Sequence, residues 1–486
     1  MRQQHEITTS APLLGKDGDL LEPGWARSLL PVYRRADIKA SPMRIKEWDY
    51  YLITDGHIGL ALTIADNGYM GLDSISFLHF DEGWEQTTSR MRALPLGKTH
   101  LPESSAEGAS EIARGGYAMT FYHEDGLRKL SFHMDKFRGK DAIEGIVQLS
   151  DEPIESMVIA TPFDKPGHFY YNQKINCMRA EGWIELGDRR FELTKDKFFA
   201  VLDWGRGVWT YHNTWYWGSA SGELDGVPFG WNIGYGFGNT GAATENVLFY
   251  DGRIHKLSEV RFEIPMDEDG FEDFMKPWVF TSDDNRFYMN FTPVLDRSAF
   301  MSAGVVLSDQ HQVFGRFTGR ITLDDGTDVW LNARTKLTLP EAFGPTQRNV
   351  QLAGAAFFEV ARDEAAPFVV STDKLRVRVL GTSFCMQAYE GSQQAEVVLE
   401  HGSVRLQTPA GVNLVTLQPD QRALYDAADD NLAITQVNAS HLVLTQYDLV
   451  TMSDATLHEI ISHIETTFGV RLSGPGRYGD KRYTFN

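Results

Sequence analysis

Much of the chain alternates apolar and polar residues over five to eight positions and is interrupted by Asp-Gly pairs, a pattern suited to antiparallel strands joined by tight turns. Tyr50 to Thr54, Gly116 to Tyr122, Glu144 to Leu149 and Val247 to Tyr250 carry the period of half-buried strands. Asp55-Gly56, Asp125-Gly126, Asp225-Gly226, Asp251-Gly252 and Asp325-Gly326 supply residues that tolerate the positive φ of hairpin turns. A mainly β protein built as an antiparallel meander follows, not a βαβ alternation. Sustained helical spacing is confined to the end of the chain, where Leu457, Ile460, Ile461, Ile464 and Phe468 recur behind Ser453 or Asp454 as N-cap, with Gly469 as the stop. That stripe is expected to pack on a small sheet.

At 486 residues the chain exceeds one ordinary core, so two or three domains are expected. With 42% hydrophobic and 23% charged residues it can bury a sizeable interior. A net charge of -20 opposes phosphate backbones and anionic headgroups, which excludes nucleic acid as the natural partner and leaves neutral or cationic ones. Cys177 and Cys385 are the only cysteines and lie far apart, so neither a disulfide framework nor a cysteine-based zinc site is expected. No histidine pair has metal-ligand spacing, and no cofactor is expected. No apolar run reaches signal-peptide or membrane-helix length, so the sequence as it stands reads as cytoplasmic with no membrane insertion. Tryptophan disappears beyond Trp330, which places a boundary near residue 325 and gives segments 1–325, 326–440 and 441–486.

Aromatic residues are densest from Asp203 to Asn246. As a strand, this stretch would put Trp209, Tyr211, Asn213, Trp215 and Trp217 on one face. One reading makes them core filler, with Asn213 and Asn232 hydrogen-bonded inside. The other makes Trp209, Trp215, Trp217, Asn213, Trp231 and Tyr235 the lining of a cavity for an apolar ligand, with room left by glycines at 230, 234, 236 and 238. Those glycines lack the spacing of a dinucleotide fingerprint. Acid chemistry on a polyene or prenyl chain would need a protonated carboxyl among aromatic faces, for which Asp203 and Glu245 are candidates, with His212 as a further proton carrier. Asp203 paired with Arg206, and Glu245-Asn246 capping a turn, are the structural alternatives. A cationic neighbour on each carboxylate discriminates the two.

DWGRGVW, NTWYWGSASG, GYGFGNT, ATEN, DGRIHKL, the Pro277-Trp278 pair and FTPVLDR occur in order, and through them residues 10 to 328 resemble the bacterial family called domain of unknown function 2804. Its Trp-rich words are similar to those of the lipocalin-like group that includes carotenoid hydratases and tocopherol cyclases. The resemblance implies paired antiparallel β-barrel or sandwich halves around an apolar ligand site, and leaves the reaction open.

LDDGTDVWLNARTKLTLP, RNVQLAGAAFFEVARDEAAPFVVST, VRVLGTSFCMQAYE, EVVLEHGSVRL and LQPDQRALY resemble the periplasmic domain of FecR-type regulators of iron-uptake sigma factors, over residues 323 to 437. The tail resembles the start of the small α/β domain that follows in such regulators, and is expected to stop short of its last element. The resemblance implies a rolled β domain, a periplasmic setting, and an anti-sigma relay between the signalling domain of an outer-membrane transporter and a sigma factor. The N-terminal helical segment and membrane helix of that family are not found in this sequence. LDDGTDVW satisfies both patterns, so a junction of two families is expected there, with Val329 to Asn332 siding with the C-terminal half and the halves folding independently. The expected function is binding of an apolar small molecule by the N-terminal part and protein-partner signalling by the C-terminal part. The alternative is a lyase, hydratase or isomerase acting on a lipid-like or isoprenoid substrate.

Overall fold

A computed structural model describes residues 4–447 apart from 225–226, 285, 304–305, 323–324, 332–335, 339–342, 345 and 390, together with 452–456 and 482–485. The chain divides into two compact units, Met1–Gly319 and Arg320–Asn486.

In the first unit the expected antiparallel meander forms a twelve-stranded sheet. Its centre is the long hairpin Phe169–Leu186 and Arg189–Val208. Lys46–Thr54, Ile58–Asp66, Met70–His79 and Trp84–Ala93 extend it on one side. Asp141–Ser150, Leu127–Arg138, Tyr117–Glu124 and Gly108–Arg114 extend it on the other. Asp125 (φ +51°) and Gly126 (φ +74°) are the only residues between the paired Glu124 and Leu127, the geometry of a two-residue hairpin whose twist matches its strands. Asp251 (φ +49°) and Gly252 (φ +75°) repeat it between Tyr250 and Arg253.

One face of this sheet buries Leu62, Phe77, Leu130, Val147, Tyr171, Ile175, Leu202 and Trp204 in a single core. A sheet wet on its other face would show alternate burial, yet Phe169 through Met178 is buried at every position. The reason is a second layer. Tyr216–Leu224, Val227–Tyr235, Val247–Tyr250 and Arg253–Lys256 form a four-stranded sheet, followed by Val260–Glu263, Trp278–Ser282 and Phe287–Ala303. These strands enclose their own aromatic core of Trp231, Trp278, Phe280, Phe287 and Phe291.

The strand expected through Trp209 to Trp217 is not formed. The chain leaves the first sheet at Val208 and joins the second at Tyr216, with a loop between. Asn213 Nδ2 donates to the Thr210 carbonyl at 2.6 Å and Thr210 Oγ1 donates to Asn213 Oδ1 at 2.9 Å, a local turn that competes with the strand ladder.

In the second unit Asp328–Leu331, Arg348–Glu359, Ser383–Ala388, Gln394–His401, Gln421–Asp426 and Asn431–Gln436 pair antiparallel in that order. Val329 pairs with Phe358 on one side and with Ile321, near the end of the strand Val306–Thr322, on the other, so this strand is paired on both edges and does not side with the C-terminal half alone; Asn332 lies outside the described residues. Phe368–Ser371, Arg376–Val379, Val404–Gln407 and Asn413–Leu417 complete a rolled β arrangement over a core of Phe358, Phe368, Val377, Phe384, Val397 and Leu406. A helix not anticipated from the sequence, Ala439–Tyr447, seats Ala439 and Val443 on Phe357, Cys385 and Val398. Nine residues are too few for its spacing to stand out. The stripe of Leu457, Ile460, Ile461, Ile464 and Phe468, with Gly469, lies outside the described residues. Ser453 and Asp454 are not helix caps: they sit in the strand Met452–Thr456, whose extended backbone pairs with Arg482–Phe485. Among the described residues no helix is long and apolar enough to cross a membrane.

Candidate functional site

Residues of the central hairpin alternate between the two layers of the first unit, so Tyr170, Asn172, Lys174 and Asn176 turn away from the first core and toward the second layer. Hairpin register sets Lys174 opposite Asp203, and Asp203 opposite Tyr50 on the next strand. Lys174 Nζ lies 2.8 Å from Asp203 Oδ2 and 3.8 Å from Glu245 Oε2. Its side chain is 2% exposed, whereas Asp203 and Glu245 keep 14% and 13%. Both acidic side chains thus keep more exposure than the lysine.

Asp203 Oδ1 also accepts from Asn172 Nδ2 at 2.6 Å and Trp48 Nε1 at 3.2 Å. A Cβ on Gly205 would stand 2.0 Å from the Trp48 ring, so glycine there lets the indole lie across the strand and reach Asp203. Glu245 enters from the second layer, where Asn232 Nδ2 donates to its carbonyl at 3.0 Å and to Oε2 at 3.4 Å. A Cβ on Gly234 would stand 2.7 Å from Glu245 Oε1, so this glycine makes room for the carboxylate. Trp217 donates its Nε1 to Asn232 Oδ1 at 2.7 Å and turns its ring to Lys174 Nζ, 4.8 Å from the centroid.

Burial raises the Glu245 carboxyl above its ordinary value; the Asp203 charge adds to this and Lys174 opposes it. Burial, then Glu245 and Asp203, hold the Tyr170 hydroxyl well above its own. Aromatic rings close the region: Phe237 lies 4.9 Å from Tyr170, 5.4 Å from Phe163 and Trp209, and 5.6 Å from Trp215.

The structure thus brings Asp203, Glu245 and Trp217 together. Trp209 and Trp215 meet at Phe237 and not at Trp217, so the shared strand face expected for the three does not exist. His212 is exposed in the intervening loop, and Asn213 is spent on its turn. Trp231 lies in the second-layer core, edge-on to Phe317 at 4.7 Å, and Tyr235 stacks on Tyr216 at 5.0 Å. Arg206 pairs with Asp49 at 3.0 Å, not with Asp203, because residues three apart in a strand face opposite sides. Tyr170, Asn172 and Lys174 were missed. Their signal is the period-two Asn-x-Lys-x-Asn of residues 172 to 176, polar groups repeating on one face of a strand.

Because the Glu245 carboxyl titrates higher when folded than unfolded, the native state binds the extra proton, and this group's contribution falls as pH rises through and above the ordinary carboxyl range. Glu245→Gln is therefore expected to raise the melting temperature by roughly 2 °C or more at pH 8 and to change it little at pH 4, as read by circular dichroism. An equal shift at both pH values would place the effect elsewhere.

The family model for a domain of unknown function (DUF2804) matches residues 4–336, well over half of the chain. The chain belongs to that family. A second model, described as FecR protein, matches residues 318–405, so the DUF2804 match and the FecR match overlap over residues 318–336, around LDDGTDVW. The DUF2804 match begins earlier and ends later than the quoted words, and the FecR match ends earlier. No curated protein matches the chain. Among solved structures, the chain is similar to a protein described as an anti-sigma factor from Parabacteroides distasonis, at 28% identity over 33% of this chain and 76% of that one, with a TM-score of 0.25. It is also similar to a protein described as an AttH from Nitrosomonas europaea, at 11% identity over 63% and 95%, with a TM-score of 0.40. Kievitone hydratase from Nectria haematococca shows 8% identity over 63% and 96%, with a TM-score of 0.34.

Proposed function

We propose that this DUF2804 protein is a two-part binding and relay protein. Its N-terminal part, residues 1–325, holds an apolar small molecule between its β layers. Its C-terminal part, with residues 326–440 as the β domain and 441–486 as the small end domain, engages a signalling partner in the manner of FecR-type regulators. The observation that carries the ligand site is the partly exposed Asp203 and Glu245 side chains next to Tyr170, whose ring meets the aromatic cluster of Phe237, Trp209 and Trp215: a polar spot with an apolar rim is the common form of a small-molecule site. The Lys174 ion pair on Asp203 favours holding over acid chemistry at that residue, since its oxygens are already engaged by a lysine and two further donors. The FecR match over residues 318–405 supports a sigma factor, or the signalling domain of an outer-membrane transporter, as the partner, and with it a periplasmic setting. Native mass spectrometry of the purified protein tests the first half. A bound apolar molecule released by Trp48→Ala, with the fold retained, is the expected result; a bare protein that takes up no alkyl probe would sink it.

A second reading has one observation in its favour, the raised Glu245 carboxyl among aromatic rings. As a hydratase, the Glu245 carboxyl would give its proton to one carbon of a C=C bond, water would add to the carbocation, and the proton shed by that water would return to Glu245. Turnover of an isoprenoid alkene that is lost in Glu245→Gln and kept in His212→Ala would establish this reading over simple holding.

A further inference from the structure

The donors and acceptors at the Lys174 site are unevenly spent. Lys174 Nζ serves Asp203 and Glu245, Asn172 Nδ2 and Trp48 Nε1 serve Asp203, Asn232 Nδ2 serves Glu245, and Trp217 Nε1 serves Asn232. Each of these donor groups has at least one protein acceptor. Acceptors are left over. Asn172 Oδ1 is buried without a hydrogen-bond partner among the described residues, on a residue that is 0% exposed. Its orientation is fixed, because only the amide nitrogen can donate to the Asp203 carboxylate 2.6 Å away. A buried acceptor left unpaired is costly, and in native proteins it marks a place where a partner belongs. The charges point the same way: Lys174 is the only cation within 4 Å of both carboxylates among the described residues, with Lys256 acting on Glu245 from farther away, and both acidic side chains keep some exposure.

We propose that the site takes the donor end of its ligand, a hydroxyl or a protonated amine on an apolar body, and rejects a carboxylate or phosphate end. This rests on the binding reading above and adds the class of head group. An alcohol would donate to Asn172 Oδ1 or to a carboxylate oxygen. An ammonium would in addition meet the two carboxylates and the faces of Tyr170 and Phe237. An anionic head would meet two like charges and has no proton to give Asn172 Oδ1, and a polar site built for donors discriminates strongly against a ligand that lacks them.

The test uses the full chain and three probes of equal chain length, 1-dodecanol, dodecylamine and dodecanoate, with binding read by tryptophan fluorescence and by calorimetry. The alcohol and the amine are expected to bind at least tenfold more tightly than the carboxylate. Glu245→Gln, close in shape and carrying a new donor, is expected to narrow the preference of amine over carboxylate by a similar factor while leaving the alcohol nearly unchanged. Asn172→Leu, which deletes the unpaired acceptor, is expected to weaken the alcohol; should that variant fail to fold, Glu245→Gln alone decides. Dodecanoate binding as tightly as the other two, or a preference untouched in Glu245→Gln, overturns the head-group assignment and leaves the binding reading standing. Failure of all three probes to bind overturns both.

Discussion

Replacing Lys174 by methionine is expected to destabilise the N-terminal unit by about 3–5 kcal/mol at pH 7, because it strands two carboxylates in the space between its layers with no cation. The side chain is 2% exposed and its ammonium is the only cation within 4 Å of both Asp203 and Glu245 among the described residues. Methionine has nearly the same length and is apolar, so lost packing contributes little and the change reports on charge. The pH dependence follows with a definite sign. Burial and the Asp203 charge hold the Glu245 carboxyl above its ordinary value while Lys174 opposes them; removing Lys174 lifts that opposition, so the native state binds more protons and stability falls as pH rises. The deficit should therefore shrink toward pH 4, where the carboxyls protonate, and adding Asp203→Asn to the methionine variant should recover a good part of it at pH 7. Urea denaturation followed by near-ultraviolet circular dichroism measures all three. A loss below 1 kcal/mol at pH 7, or one independent of pH, would show that the ion pair does not neutralise these carboxylates in the folded protein.

The same ion pair shows how far the sequence could be read. The strands and hairpins were legible because alternation and Asp-Gly turns are local: the Asp125-Gly126 and Asp251-Gly252 connections are settled by four residues each. The carboxylates were legible as oddities inside aromatic words. Their partner was not, since Lys174 reaches Asp203 only through the register of an eighteen-residue strand against a twenty-residue one, which includes two irregularities. Arg206 could have been ruled out from the sequence alone, because an odd spacing in a strand puts the two side chains on opposite faces. The strand expected across Trp209 to Trp217 failed for a local reason that was also on view: Thr210 and Asn213 are residues that bond their own backbone and start turns. Burial at every position from Phe169 to Met178 had no local signal at all. Asn172, Lys174 and Asn176 look like a solvated face until the second layer, which begins some forty residues later, covers them.

Trp231→Ala is expected to have an effect as large as the loss of Lys174 and opposite in kind, about 3–5 kcal/mol that does not vary with pH. Trp231 is 1% exposed, and its ring packs 4.7 Å from Phe317, 5.6 Å from Phe287 and 6.1 Å from Phe280 at the centre of the second-layer core. Truncation removes one of the largest fully buried side chains and leaves a space walled by phenylalanine rings, which cannot collapse without moving the strands that carry them. Such a space is apolar and stays dry, so indole supplied in solution should enter it and restore stability in proportion to the logarithm of its concentration above its dissociation constant. Trp231 lies one residue from Asn232, which fixes both Trp217 and Glu245, so the variant also tests whether the Lys174 site depends on second-layer packing. With indole present, the pH response of Glu245 should return along with the stability. Recovery of stability without that response would mean that the Asn232–Glu245 bond is set by its own strand and not by the aromatic core beneath it. A loss below 1 kcal/mol would show that the second layer does not rely on this ring.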